Sequence, residues 1–186
     1  AVGELFQKLR FEFQPRVEAK QLLLEVVPAP EVHPVQADAR ALDQVLHHLL
    51  ENAIKFTPAL GRISVSARNM GSHVRITVTD TGSGIKPEDH ERIFDQFQQV
   101  GRVHGPGEQG TGLGLAICRQ QLQRMGATIT VESQPGAGAR FHVLLPVTQS
   151  TAPSLPQALD QALARENNAG SDLLQRLRSR SGAAAS

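Results

Sequence analysis

Leu42, Val45, Leu46, Leu49, Leu50, Ala53 and Ile54 alternate spacings of three and one without a break, the apolar stripe of an amphipathic helix. Asp38 stands where an N-cap belongs, and Thr57-Pro58 marks the end. So complete a stripe must lie on a second apolar layer, and the flanking sequence supplies one in period two. Ile63, Val65 and Ala67 alternate with polar residues, and Val74, Ile76 and Val78 do the same after the turn around Met70-Gly71-Ser72. The pair reads as an antiparallel hairpin.

The rest of the chain extends this plan. Leu5, Phe6, Leu9, Phe13 and Val17 predict a helix over residues 4–19, which Pro15 should kink or divide. Leu22 to Val27 reads as a strand closed by Pro28 and Pro30, and Val35-Gln36-Ala37 as a second short one. Pro87-Glu88-Asp89 opens a short helix toward Phe94. Residues 98–110, with four glycines and Pro106, predict a long mobile loop. Leu115, Cys118, Leu122 and Met125 restore a helical stripe that Gly126 should terminate. Ala127 to Glu132 and Arg140 to Leu145 read as strands around Pro135-Gly136-Ala137-Gly138. The expected fold class is α/β: a two-layer sandwich with helices packed on one face of a mixed sheet.

The chain's 186 residues leave room for one domain, here residues 1–146, and a tail. Residues 147–186, rich in Ser, Pro, Gln and Ala, are expected to be a largely disordered tail or linker. A formal net charge of +1 is far from the basic footprint of a nucleic-acid binder, so nucleic acid is not an expected partner. One cysteine, Cys118, permits neither an internal disulfide nor a multi-thiolate zinc site, in keeping with a reducing compartment. No apolar run reaches the roughly 18–20 residues of a membrane span, and no signal-peptide pattern opens the chain, so a soluble, cytoplasmic domain is expected.

Three segments suggest chemistry. The helix after Asp38 stacks Gln44, His48, Asn52 and Lys55 on a face beside its stripe, with Glu51 adjacent. An ordinary exposed helix face would look the same. Asp80 continues the parity of Val74, Ile76 and Val78, which puts a carboxylate on an apolar face just before the glycine-rich turn Thr81-Gly82-Ser83-Gly84-Ile85. Such an acceptor suits the exocyclic amino group of adenine and discriminates against the carbonyl of guanine; a plain turn cap is the simpler alternative. Gly110-Thr111-Gly112-Leu113-Gly114-Leu115 sets bare amides before a helix, where a phosphate chain would sit. It is neither a Walker A loop, since Thr111 stands where lysine is required, nor a dinucleotide fingerprint.

In this order, with Phe94-Asp95-Gln96-Phe97 between the second and third, the segments resemble the GHKL ATP-binding superfamily. Within it, residues 3–146 look like the catalytic and ATP-binding domain of a bacterial sensor histidine kinase. The resemblance implies that Asn52 ligates Mg2+, that Lys55 faces the phosphates and that Phe56 lies near the adenine of ATP. Asp80 would read adenine, with Gly82, Gly84 and Ile85 around the base. Gly110, Thr111, Gly112, Leu113 and Gly114 would cradle the phosphates and hinge a lid, in which Arg102 is a candidate cation. It further implies transfer of the γ-phosphoryl group to a histidine nitrogen, a homodimeric parent kinase that can be anchored at the inner membrane, and a response regulator downstream.

Two departures stand out. His48 occupies the position, four residues before Asn52, where the family usually has a second asparagine; with Glu51 it is a candidate for handling water or a proton near the phosphates. The accepting histidine is missing as well: no segment before Asp38 has the length of the family's phosphoacceptor hairpin, so the chain is expected to be part of a longer kinase. A nucleotide sensor without transfer activity and a hydrolytic or serine-directed relative are the competing readings.

Overall fold

The computed structural model describes residues 2–27, 32–98 and 112–148. The long stripe becomes one side of helix α2 (Ala39–Phe56), with all seven of its apolar residues buried. Both ends of α2 are fixed by side chains. Asp38 accepts hydrogen bonds from the backbone N–H of Arg40 (2.8 Å) and Ala41 (3.2 Å), a cap of the kind worth about 1 kcal/mol. Lys20 Nζ donates to the carbonyls of Ile54 (2.6 Å) and Lys55 (2.9 Å), setting a cation on the negative end of the helix dipole.

Helix α1 (Val2–Ala19) buries Val2, Phe6, Leu9, Phe13 and Val17, and runs through Pro15 as one element. The expected division does not occur, because Pro15 and Phe11, whose carbonyl loses its partner there, both lie on the exposed side where water satisfies it. Two ion pairs tie α1 to α2, Lys8 with Asp43 (2.7 Å) and Arg16 with Glu51 (3.0 Å), and His47 Nε2 lies 2.8 Å from the Glu12 carboxylate.

The sheet comprises β1 (Leu23–Val26), β2 (Arg62–Met70), β3 (His73–Asp80), β4 (Thr128–Ser133) and β5 (Ala139–Pro146) in the order β1-β2-β3-β5-β4. Only β1 and β2 are parallel, so the sheet is mixed, as expected. Ile63, Val65, Val74, Ile76, Val78, Phe141, Val143 and Leu145 form its buried face. Helix α3 (Gly114–Arg124) adds Cys118 and Leu122 to the same core and stops before Gly126, which takes a left-handed conformation at φ +67°. Burial pushes the Cys118 thiol up to about 12, which makes it inert.

Two expected elements differ. Val35 makes only an isolated bridge to Val147, with Gln36 N–H donating to Pro146 O and Thr148 N–H to Pro34 O; Pro34 has no N–H to extend the ladder. The helix expected from Pro87 is two single 3-10 turns, Pro87–Asp89 and Arg92–Phe94, which bury Asp89, Ile93 and Phe94 within a short connector. Of the expected tail, Val147 and Thr148 belong to the bridge at Val35, and residues 149–186 lie outside the described residues.

Leu46 is fully buried at the centre of the α2 stripe. Replacing it with alanine should lower stability by about 3 kcal/mol. In urea titrations this should appear as a lower midpoint with an unchanged slope.

Candidate functional site

Asp80 ends β3 on the buried face, opposite Ile63, and only 7% of it is exposed. Its Oδ1 accepts the backbone N–H of Gly82 (2.7 Å) and of Ala139 (3.3 Å). Burial raises its pKa above the ordinary carboxylate value, and the two amide bonds oppose that shift without cancelling it. The result is a carboxylate fixed at the floor of a turn with little conformational freedom.

Close backbone approach explains the glycines around it. A Cβ on Gly82 would fall 2.6 Å from Phe56 O and 2.8 Å from Asp80 Oδ1. One on Gly84, whose φ is +70°, would overlap Gln134 O, and one on Gly138 would overlap Asp80 O. The turn is also fastened to the β4–β5 turn: Gly136 N–H donates to Ser83 O (2.7 Å), and Ile85 N–H donates to Ser133 Oγ (2.8 Å), whose hydroxyl donates to Gly138 O (2.6 Å). Ser133, Gly138 and Ala139 were missed by sequence reasoning. Their only signal was the Gly136, Gly138 pair, which reads as a hairpin turn and carries no hint that it lies against residues 80–85.

Helix α2 connects this floor to the start of α3. At its C-terminal end the main-chain carbonyl of Phe56 lies against Gly82, while the Phe56 ring is partly exposed with Lys55 Nζ 5.3 Å from its centroid. Two turns earlier, the His48 ring faces Gly114 at the first residue of α3, 3.7 Å from where a Cβ would stand. His48 and Phe56 are about 12 Å apart along the helix axis. Asn52 lies between them, partly exposed. Glu51 sits at the margin: Arg16 holds its Oε1 at 3.0 Å, and its Oε2 is 3.8 Å from His48 Nδ1. A further link, Gln121 Nε2 to Gln44 Oε1 (2.7 Å), holds α3 beside α2.

The segment before α3 is described from Gly112 onward. Gly112 takes φ +70°, and its carbonyl accepts the N–H of Phe97 (3.0 Å). A Cβ there would press on Phe97 at 2.9 Å. Leu113 follows, and its carbonyl accepts the Ile117 N–H in the first turn of α3. Arg102, Gly110 and Thr111 lie outside the described residues, as does most of the segment expected to be a mobile loop. A separate recess of ≈ 370 Å³, lined by Phe94, Gln96, Leu113, Ile117 and Arg119 among others, includes none of His48, Asn52, Phe56 or Asp80.

No group of three or more His, Cys, Asp or Glu side chains among the described residues could hold a metal by itself. Asn52 offers a hard amide oxygen, which fits a Mg2+ ion whose shell is filled mainly by phosphate oxygens and water.

A two-layer α/β sandwich with a buried carboxylate under a glycine turn, joined by one helix to the start of another, defines a nucleotide-binding domain. The comparisons narrow the class. The model of the histidine kinase-, DNA gyrase B-, and HSP90-like ATPase family matches residues 37–149, and the chain belongs to that family. It is 40% identical over 144 residues to the alginate biosynthesis sensor protein KinB of Pseudomonas aeruginosa, covering 77% of this chain and 24% of that protein. Among solved structures, the nucleotide-free catalytic domain of histidine kinase ThkA superposes with a TM-score of 0.69 at 30% identity, covering 79% of this chain and 95% of that one. Full-length ShkA in complex with AMPPNP gives 0.70 at 29% identity, covering 84% of this chain and 32% of that one. The chain is thus a catalytic, ATP-binding domain of the histidine kinase type, and it spans about a quarter of the length of KinB. No described helix is long and apolar enough to cross a membrane.

The raised pKa of Asp80 has a thermodynamic sign. Its proton is held more tightly in the folded state, so its contribution to stability is present below the ordinary value of 3.8 and is lost as pH rises through the raised folded value. Asp80→Asn should therefore match or exceed the wild-type melting temperature at neutral pH without nucleotide. The difference between the two proteins should narrow as pH falls through that window, which differential scanning fluorimetry across pH would reveal.

Proposed function

We propose that this domain binds ATP with Mg2+ and passes the γ-phosphoryl group to a histidine on a phosphoacceptor segment outside residues 1–186. The observation that carries the reading is the track along α2. It has a fixed carboxylate and a partly exposed phenylalanine at one end and a glycine-led helix start at the other, so it suits an elongated ligand with a base at one end and an anionic chain at the other.

In this reading the free edge of the Asp80 carboxylate accepts the adenine amino group, and Gly82, Gly84 and Ile85 enclose the base against Phe56. Lys55 balances phosphate charge, and the amides from Gly110 to Gly114 cradle the β and γ groups. Bound through Asn52, Mg2+ would neutralise charge as it builds on the phosphate oxygens. The accepting imidazole nitrogen forms the new N–P bond while the bond between the γ-phosphorus and the bridging oxygen breaks, and ADP leaves. The domain contributes chiefly position and charge. His48, flanked by Glu51, sits where a water near the phosphates can be held, and Arg102 is a further cation for the transferred group. We infer that the parent kinase is a homodimer that can be anchored at the inner membrane, with this domain on the cytoplasmic side. A response regulator would then take the phosphoryl group from the acceptor histidine.

Supplying a phosphoacceptor hairpin in trans with γ-labelled ATP tests the proposal; label should move to the hairpin. Tight MgATP binding with no transfer would instead favour a nucleotide sensor, and sustained phosphate release without the hairpin would favour a hydrolase. Asn52→Ala should abolish most of the magnesium-dependent gain in ATP affinity measured by calorimetry, while Asp80→Asn should remove nucleotide binding at any magnesium concentration. An unchanged magnesium titration in the first variant would take Asn52 out of the metal role.

A further inference from the structure

The face of the sheet turned away from the helices carries an unresolved conflict of charge. Burial alternates along β2 and β3, so Arg62 and Arg68 of β2, Arg75 of β3 and Arg140 of β5 belong to the open face. Arg68 and Arg75 are direct register partners on neighbouring antiparallel strands, which brings their Cβ atoms within about 5 Å. Like charges placed directly opposite destabilise a sheet. No ion pair among the described residues neutralises any of the four arginines, and Arg75 Nε is buried without a hydrogen-bond partner. Neither acid of this face lies beside Arg68 or Arg75: Glu25 is on the edge strand β1, and Glu132 is the register partner of Arg140, with its carboxylate 3.4 Å from His142 Nε2.

We propose that the open face of the sheet is a docking surface for a carboxylate-rich segment of a partner protein, with Arg68 and Arg75 as its paired anchor. All four cations are arginines, whose planar guanidinium groups bind carboxylates in bidentate fashion, and one carboxylate set between Arg68 and Arg75 turns their repulsion into two attractive contacts. Arg62 and Arg140 lie together toward the opposite end of the face, about 13–20 Å along the strands from the anchor, so an extended acidic segment running along the strands would meet both ends. Nucleic acid is the weaker occupant, because none of the buried or exposed phenylalanines lies on this face and the chain has no Tyr or Trp to stack on bases. A membrane is weaker still, because the centre of the face carries Ser66, Thr77, His142 and Thr130, and its apolar residues Leu23, Met70 and Leu144 are spread over three strands instead of forming one inserting wedge.

The test uses the whole chain and a fluorescein-labelled peptide of alternating aspartate and glutamate, read by fluorescence anisotropy. Arg68→Glu should weaken peptide binding about tenfold or more, whereas Arg10→Glu on α1, with the same change in net charge, should leave it nearly unaltered. Arg68→Glu should also raise the melting temperature by a few degrees, since it converts the opposed cations into a cross-strand ion pair. Equal losses in both variants would mean diffuse attraction and overturn the proposal. A melting temperature that stays level or falls in Arg68→Glu would remove the conflict on which it stands. Tighter, Arg68-dependent binding of an oligothymidylate or of phosphatidylglycerol-containing vesicles would assign the face to nucleic acid or membrane instead.

Discussion

One oxygen atom, Asp80 Oδ1, joins two parts of the chain that are far apart in sequence. By accepting the N–H groups of Gly82 and Ala139 it closes the turn that follows β3 and fixes the first residue of β5 against the last residue of β3. The glycines at positions 82, 84 and 138 are the steric counterpart of that arrangement, since a side chain at any of them would occupy space already taken by backbone. The candidate base site is therefore a by-product of sheet closure. Its floor is made of the same hydrogen bonds that align β3 with β5, so it is in place before any ligand arrives. The burial that fixes the carboxylate in place also makes its charge unfavourable.

Helix α2 serves two purposes at once. Its apolar side supplies much of the core, and the neighbouring face carries His48, Asn52 and Lys55. Because Asp38 and Lys20 fix its two ends, the polar face is held in register with the Asp80 turn at one end and with Gly114 at the other. Arg16 adds a constraint from outside by engaging Glu51, so α1 bears on the site although the matched family region begins only at residue 37.

Features written in local periodicity were legible in the sequence. The stripe of α2, the β2–β3 hairpin and the inward orientation of Asp80 all follow from spacing alone. Features decided by contacts between distant segments were not. Nothing in residues 127–145 announces that β5, and not β4, pairs with β3, or that Ser133 and Gly138 support the turn at 81–85. Pro15 misled because its cost depends on which side of α1 it occupies, and Val35 misled because a strand needs a partner able to continue past Pro34. Asn52, Lys55 and Phe56 took their expected roles from family resemblance. The structure orders them along one helix, which is compatible with those roles.

The hydrogen bond from Phe97 to Gly112 has a consequence for how this domain can diversify. It pins together the two ends of the intervening stretch, so the sheet, α2 and α3 are indifferent to how many residues run between them. Extending a stretch closed in this way costs little, about 0.6 kcal/mol for each doubling of its length. Its length can thus change without disturbing the hydrogen bonds that fix Asp80.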